Sequence, residues 1–247
     1  MMLVAALVLA LVFVSSFISG VFGVAGGLIL MGALLYLLPV SQAMLVHGLT
    51  QFISNGARVL FWRSFLETGL LLRFLAGSLV CLLAFTLIRF VPSRTTVLFL
   101  LGLSTVIVCL VPQRWAPRAT QPGMPFLMGI AGTALMLTAG VSGPFLDQFF
   151  VRAELDRRTT VATKAAMQAF SHLVKAGYFG ALATTALDAG WWTVLAIVPV
   201  ATAAGTGLAS RVLVRLSDRQ FYWWTRRIVL AIGVYYLADA LRQALTD

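Results

Sequence analysis

Apolar residues run along this chain in stretches of helical length, separated by short connections that carry charge, Pro or Gly. Crossing about 30 Å of hydrocarbon takes about 20 residues at 1.5 Å per residue. The pattern predicts helices over 2–22, 27–38, 41–62, 68–90 and 94–112, and then over 124–140, 143–151, 158–183, 190–214 and 221–244. The pieces 27–38 and 143–151 are too short to span alone. Gly23-Val24-Ala25-Gly26-Gly27 leads into the first and Gly140-Val141-Ser142-Gly143-Pro144 into the second, so each is expected to continue the preceding segment as one broken helix. The fold class expected is an all-α polytopic membrane protein with about eight transmembrane elements. The short alternating strands of an outer-membrane barrel are absent. The run from Met2 to Gly20 has no basic flank and no small-x-small cleavage site, and reads as a retained helix, not a signal peptide.

The polar positions inside the apolar segments repeat. His47, Gln51, Ser54 and Arg58 recur as Lys164, Gln168, Ser171 and Lys175 at a constant offset of 117, and the two Gly stretches stand at the same offset. Leu66-Glu67-Thr68-Gly69 precedes one helix as Leu187-Asp188-Ala189-Gly190 precedes its counterpart, both reading as acidic helix starts. The chain is therefore expected to divide into two homologous repeats of about four elements each, 1–112 and 124–247, each with a Gly-rich broken helix near its start. They are joined by a linker at 113–123, where Pro112, Pro117, Pro122 and Pro125 cluster with Arg114 and Arg118.

Composition agrees with a bilayer: 60% hydrophobic and 11% charged residues with a mean hydropathy of +0.96, against about 45–50% and 25% in soluble domains. The net charge of +10 comes from dispersed Lys and Arg, without the basic runs and aromatic platforms that bind nucleic acid. Arg89 and Arg94, then Arg152, Arg157 and Arg158, then Arg211, Arg215 and Arg219 fall in alternate connections, expected to be cytoplasmic, with Arg63, Arg114 and Arg118 opposite. Eight crossings would leave both termini outside an inner membrane. Trp191-Trp192 and Tyr222-Trp223-Trp224 read as interfacial belts. Cys81 and Cys109 lie in apolar runs without metal-ligand spacing and read as helix-packing residues. No nucleophile, paired carboxylate or metal motif is recognisable, so no enzyme and no cofactor is expected.

The stripes hold the candidate chemistry. Spacings of three and four put each set on one helical face. An ionisable group in hydrocarbon costs from about 2.5 to over 10 kcal/mol, depending on the scale, so such a face lines a site, a path or a helix interface. Neither stripe contains an acid, which disfavours a cation path and suits an oxyanion. Arg58 and Lys175 would neutralise charge, Gln51, Ser54, Asn55, Gln168 and Ser171 would orient oxygens, and His47 and His172 are the candidates for proton coupling. Gly23, Gly26, Gly27, Gly140, Ser142 and Gly143 would offer backbone donors from the broken helices. Against this stands interhelical hydrogen bonding by the glutamines, snorkelling of Arg58 and a loop-side position for Lys164. Asp147, an acid beside the second break, could pair with Lys164 or Lys175.

With the Gly motifs at 20–30 and 140–145, the polar helices at 43–61 and 162–178, and Gly205-Thr-Gly-Leu-Ala-Ser-Arg211 leading to Leu216-Ser-Asp-Arg-Gln-Phe221, nearly the whole chain resembles the TauE/SafE sulfite exporter family, also called the 4-toluene sulfonate uptake permease superfamily. It departs from the usual longer Gly run and following Pro at Met31-Gly32, and from a Gly pair at Gly143-Pro144. The resemblance implies transport of sulfite or a small organosulfur anion, and the function expected is a secondary transporter, as an exporter, in the lipid bilayer, with protons and a homo-oligomer as further candidate partners. The alternatives are a non-transporting membrane scaffold or accessory subunit, or a permease for a sulfur-free carboxylate.

Overall fold

The computed structural model describes residues 2–22, 25–182, 189–213 and 218–246. Gly23, Leu187-Asp188 and Leu216-Ser217 lie outside the described residues. Among those described, the chain is all helix: α1 (Met2–Phe22), α2 (Ala25–Leu37), α3 (Val40–Trp62), α4 (Thr68–Ile88), α5 (Arg94–Leu110), α6 (Met124–Thr138), α7 (Gly143–Phe150), α8 (Arg157–Leu182), α9 (Ala189–Leu213) and α10 (Asp218–Thr246). Within α1, α4, α9 and α10 lie segments long and apolar enough to cross a bilayer. Local chemistry sets several starts: the Ser93 hydroxyl accepts from Thr96 N–H at 3.1 Å to cap α5. Pro125 and Pro144 occupy the first turns of α6 and α7, where a missing N–H costs nothing.

The two short helices turn back instead of continuing their predecessors. A side chain at Gly26 would collide with the Ser15 carbonyl and the Ser19 hydroxyl, so α2 folds against α1. Leu146 and Phe145 of α7 likewise reach Gly132 in the middle of α6. Collinear continuation would hold such residues about 10–21 Å apart. Each Gly stretch thus joins a hairpin, in place of the single broken span expected.

This reversal regroups the charges. At one end of the molecule the segment after α5 docks on the α7–α8 connection: Ala119 N–H donates to Phe149 O at 2.9 Å, Arg152 to Arg114 O at 2.5 Å, and Arg118 pairs with Glu154 at 2.9 Å. The α3–α4 connection joins them, with Glu67 N–H donating to Thr163 and Arg158 stacked over Trp62 and Phe65. At the opposite end Arg94 stacks on Tyr36, Tyr36 bonds Asp239, and Thr95 meets Gln243. Arg63, Arg114 and Arg118 therefore share an end with Arg152, Arg157 and Arg158, whereas Arg89 and Arg94 lie opposite. The expected alternation fails because α7, which lies between Arg118 and Arg152, adds a reversal of the chain.

The most extensive helix pairings are α3 with α8, α1 with α9, α4 with α6 and α5 with α10. α3 and α8 run antiparallel: Leu45 lies by Gly180, Gly48 by His172 and Ala176, and Trp62 by Arg158. α5 and α10 are antiparallel too, with Thr95 near Gln243 and Gly102 against Gly233 and Leu237. Glycine lets backbones touch at the α4–α6 crossing, where Gly77 meets the Phe126 carbonyl and Gly129 the Phe74 carbonyl. The main core surrounds α2, with Leu28, Leu30, Met31, Leu34, Met44 and Leu101 fully buried. Trp192, Trp223 and Trp224 are exposed, and Arg227 stacks on Trp223.

Candidate functional site

The polar stripes of α3 and α8 face one another, and their antiparallel packing separates the ionisable residues into two groups. In the first, fully buried Lys175 donates to Gly140 O at 2.7 Å and lies 2.7 Å from His47 Nδ1. His47 Nε2, also fully buried, meets Gly27 O at 3.0 Å, and the His172 ring centroid is 5.5 Å from that of His47. A carbonyl can only accept, so His47 Nε2 carries the proton and, in the neutral ring, Nδ1 accepts from Lys175. One continuous chain of hydrogen bonds therefore links α2, α3, α8 and the loop between α6 and α7.

That loop depends on Gly140. Its φ of 80° lies in the left-handed region, and a Cβ there would stand 2.8 Å from Met31 Sδ and 3.0 Å from Met44 Sδ. Released from the helix, Gly140 O is free to accept from Lys175. Both Gly stretches were expected to supply N–H donors for a ligand; the contacts observed run through the carbonyls of Gly27 and Gly140 to the protein's own side chains. Ser142 Oγ and His172 Nδ1 are buried with no hydrogen-bond partner among the described residues.

The second group lies toward the end of the molecule that carries Arg152 and Arg158. Asp147 of α7 pairs with Lys164 at 2.7 Å, their side chains 32% and 27% exposed, and stands within electrostatic reach of Arg58. Arg58 reaches Asn55 Oδ1 at 3.4 Å, and Asn55 donates to Gln51 O at 2.9 Å. Asp147 thus chooses Lys164 over Lys175. Lys164 and Lys175 are eleven residues apart on α8, about 16 Å along its axis.

Between the groups, Gln51 lies against Gly27 and Gln168 is buried. Ser54 is half-buried; Ser171 is fully buried and spends its hydroxyl on Met167 O at 2.9 Å, within its own helix. Gly26 and Gly143 are buried in helix contacts. An open groove of about 420 Å³ between α2 and α10, lined by Ile29, Ala33, Tyr36, Ile232 and Tyr235, is almost wholly apolar. Sequence reasoning missed Tyr178, whose hydroxyl bridges Phe85 O and Phe90 O, and Tyr236, which donates to Leu28 O at 2.9 Å. Each looks like an aromatic core position in sequence, and no local signal identifies the carbonyl it meets.

Apolar helices long enough to span, wrapped around a pair of helices with a buried polar seam, define a multi-pass helical membrane protein. The sulfite exporter TauE/SafE family model matches residues 7–236, and the chain belongs to that family. Membership makes it a membrane transporter of the sulfite and anion exporter type, a transporter family and not an enzyme family. No match was found among curated proteins or solved structures.

Proposed function

We propose that the chain is a secondary transporter exporting sulfite or a small organosulfur oxyanion across the inner membrane. In this reading the anion moves along the α3–α8 seam between two inverted repeats, 1–112 and 124–247, tied by the segment 113–123. The observation that carries it is a basic, amide-lined seam in which Asp147 pairs with Lys164 at the half-exposed end and, among the described residues, no acid pairs with Lys175. Arg58 and Lys164 at that end attract the anion, Gln51, Ser54, Asn55, Gln168 and Ser171 line its path, and Lys175 receives it beside Gly140, Ser142 and Gly143.

Helix pairing supports the repeats. Exchanging α1–α5 with α6–α10 carries the α3–α8 and α5–α10 pairs onto themselves and the α1–α9 pair onto α4–α6. The self-paired helices are antiparallel, so the exchange must reverse direction, as in inverted-topology transporters with a site at the repeat interface. The same exchange turns Lys175 and His47 into Arg58 and Lys164. One end of the seam is sealed and its counterpart half-exposed, the asymmetry expected of one state in an alternating cycle. The basic end, with Arg63, Arg114, Arg118, Arg152, Arg157 and Arg158, is assigned to the cytoplasm.

The test is uptake of radiolabelled sulfite against sulfate, taurine, sulfoacetate and acetate in proteoliposomes, with the wild type and with Arg58→Ala and Lys175→Ala. Selective sulfite or sulfonate flux that each substitution removes, with the fold intact, is expected. Flux of acetate alone would select the carboxylate permease, and no flux of any anion the scaffold.

A further inference from the structure

We infer that Lys175 and His47 together form a proton-binding site that is empty in the ligand-free protein and fills when the anion binds, so that one proton travels with each anion. The inference rests on the anion-transport reading above and adds the coupling ion and its carrier. It follows from counting hydrogen bonds. Lys175 Nζ has two partners, His47 Nδ1 and Gly140 O, each at 2.7 Å. His47 holds Gly27 O through Nε2, which leaves Nδ1 as the acceptor. A neutral amine has two N–H groups and one lone pair, and this arrangement engages both N–H groups and leaves the lone pair open. An ammonium would have a third N–H, and among the described residues Nζ makes no third hydrogen bond.

The charge balance points the same way. Lys175 is fully buried, and among the described residues no carboxylate pairs with it. The titratable groups facing it are His47 from α3 and His172 from α8; α2 and the α6–α7 loop offer only the carbonyls of Gly27 and Gly140. Asp147 is committed to Lys164 further down the seam. An unpaired ammonium there would lack a counter-charge. An oxyanion arriving at this end supplies the counter-charge, and the amine then takes a proton from hydronium or buffer acid in the solvent: its lone pair forms the N–H bond as the donor's O–H bond breaks, leaving water or the buffer base, and the proton returns to the solvent when the anion is released. Ser142, two residues beyond Gly140, and His172, whose ring lies 5.5 Å from that of His47, each have a buried polar atom without a hydrogen-bond partner among the described residues, and these serve the incoming oxygens.

The experiment is calorimetric titration of the purified full chain with ethanesulfonate and with sulfite, each in two buffers of different ionisation enthalpy, which counts protons taken up with the anion. Ethanesulfonate remains a monoanion, so a proton bound with it is held by the protein. Uptake of about one proton per anion near neutral pH is expected from linkage, and Lys175→Arg, permanently charged, should bind anion with no uptake. Binding of ethanesulfonate without proton uptake by the wild type overturns the inference and leaves the transport reading standing. If only sulfite binds, equal uptake by the wild type and Lys175→Arg overturns it, with Lys175→Met as the comparison should the Arg variant not fold. Binding of neither anion overturns both readings.

Discussion

If the anion enters the seam as proposed, Asp147 competes with it for Lys164 and Arg58, and Asp147→Asn measures how strongly. In the ligand-free protein its carboxylate holds Lys164 at 2.7 Å and acts on Arg58, so an oxyanion arriving at this end must displace it from one cation and share the other. Two unit charges at 2.7 Å attract by about 6 kcal/mol at an effective dielectric constant of 20. Side chains 32% and 27% exposed keep part of their hydration and are screened by salt, and their desolvation and ordering offset most of that attraction, leaving a net of about 1–2 kcal/mol. Asn keeps the shape and removes the charge. The apparent affinity for the transported anion should therefore rise about five- to thirtyfold at low salt, and the gain should shrink as ionic strength rises. Maximal flux should fall, because a ligand held by two unopposed cations leaves slowly. Concentration-dependent uptake in proteoliposomes, read beside the double variant Asp147→Asn/Lys164→Gln, gives both quantities. Weaker anion binding in Asp147→Asn with the fold intact would refute the reasoning, since the carboxylate would then be holding the site together instead of guarding it.

Gly129→Ala should lower the melting temperature in detergent by several degrees: its Cβ would meet the Phe74 carbonyl and stand 2.8 Å from Ser78 N, at a cost of about 1–3 kcal/mol. Gly177→Ala, which meets nothing within 4 Å, should instead be neutral or gain about 0.5–1 kcal/mol, and equal losses at both positions would contradict the close approach of α4 to α6. In a cysteine-free background, an impermeant maleimide applied to intact cells should label a cysteine placed at Thr246 and not one placed at Arg152; the reverse pattern would invert the orientation. Asp156 accepts from Thr159 and Arg158 N–H at the start of α8, and the side-chain and backbone hydrogen bonds of Thr159 hold its carboxyl below the usual carboxylate range. A group whose folded pKa is depressed stabilises above its unfolded pKa and loses that effect as pH falls through the folded one. Asp156→Ala should thus lower the melting temperature at neutral pH and match the wild type in acid, and a deficit persisting below the carboxylate range would mean that the side chain acts otherwise.

The helices were legible because hydrocarbon imposes a length and excludes charge. The limits expected at 2–22, 41–62, 143–151 and 158–183 fall within one residue of α1, α3, α7 and α8. The paired stripes were legible for the same reason: His47, Gln51 and Arg58, or Gln168, Ser171 and Lys175, have no place on a lipid-facing surface, so their common face announced the seam. What could not be read was direction. A Gly stretch such as Gly140 to Gly143 permits either a break in a continuing helix or a full reversal, and the choice depends on whether Leu146 finds Gly132 to lie against, a contact between residues fourteen apart. That one choice set the expected alternation of basic connections wrong, and with it the sides of Arg63 and Arg114.

The same choice hid the chemistry of the sealed end. Backbone donors aimed at a ligand are the natural expectation for a helix restarting after a break. In a hairpin the carbonyl of Gly140 is left unpaired as well, and a buried carbonyl must find a donor. Lys175 supplies it, and His47 in turn connects Lys175 to Gly27 on α2. Both hairpins are thereby pinned to the α3–α8 pair by side chains whose own state depends on a proton and a counter-charge. An anion that draws Lys175 away from Gly140 O would loosen one hairpin, and the unpaired carbonyl would draw Lys175 back once the anion leaves. Occupancy of the seam and the position of the hairpins are then one equilibrium, which is what a carrier needs if it is to open one end only after the other has closed.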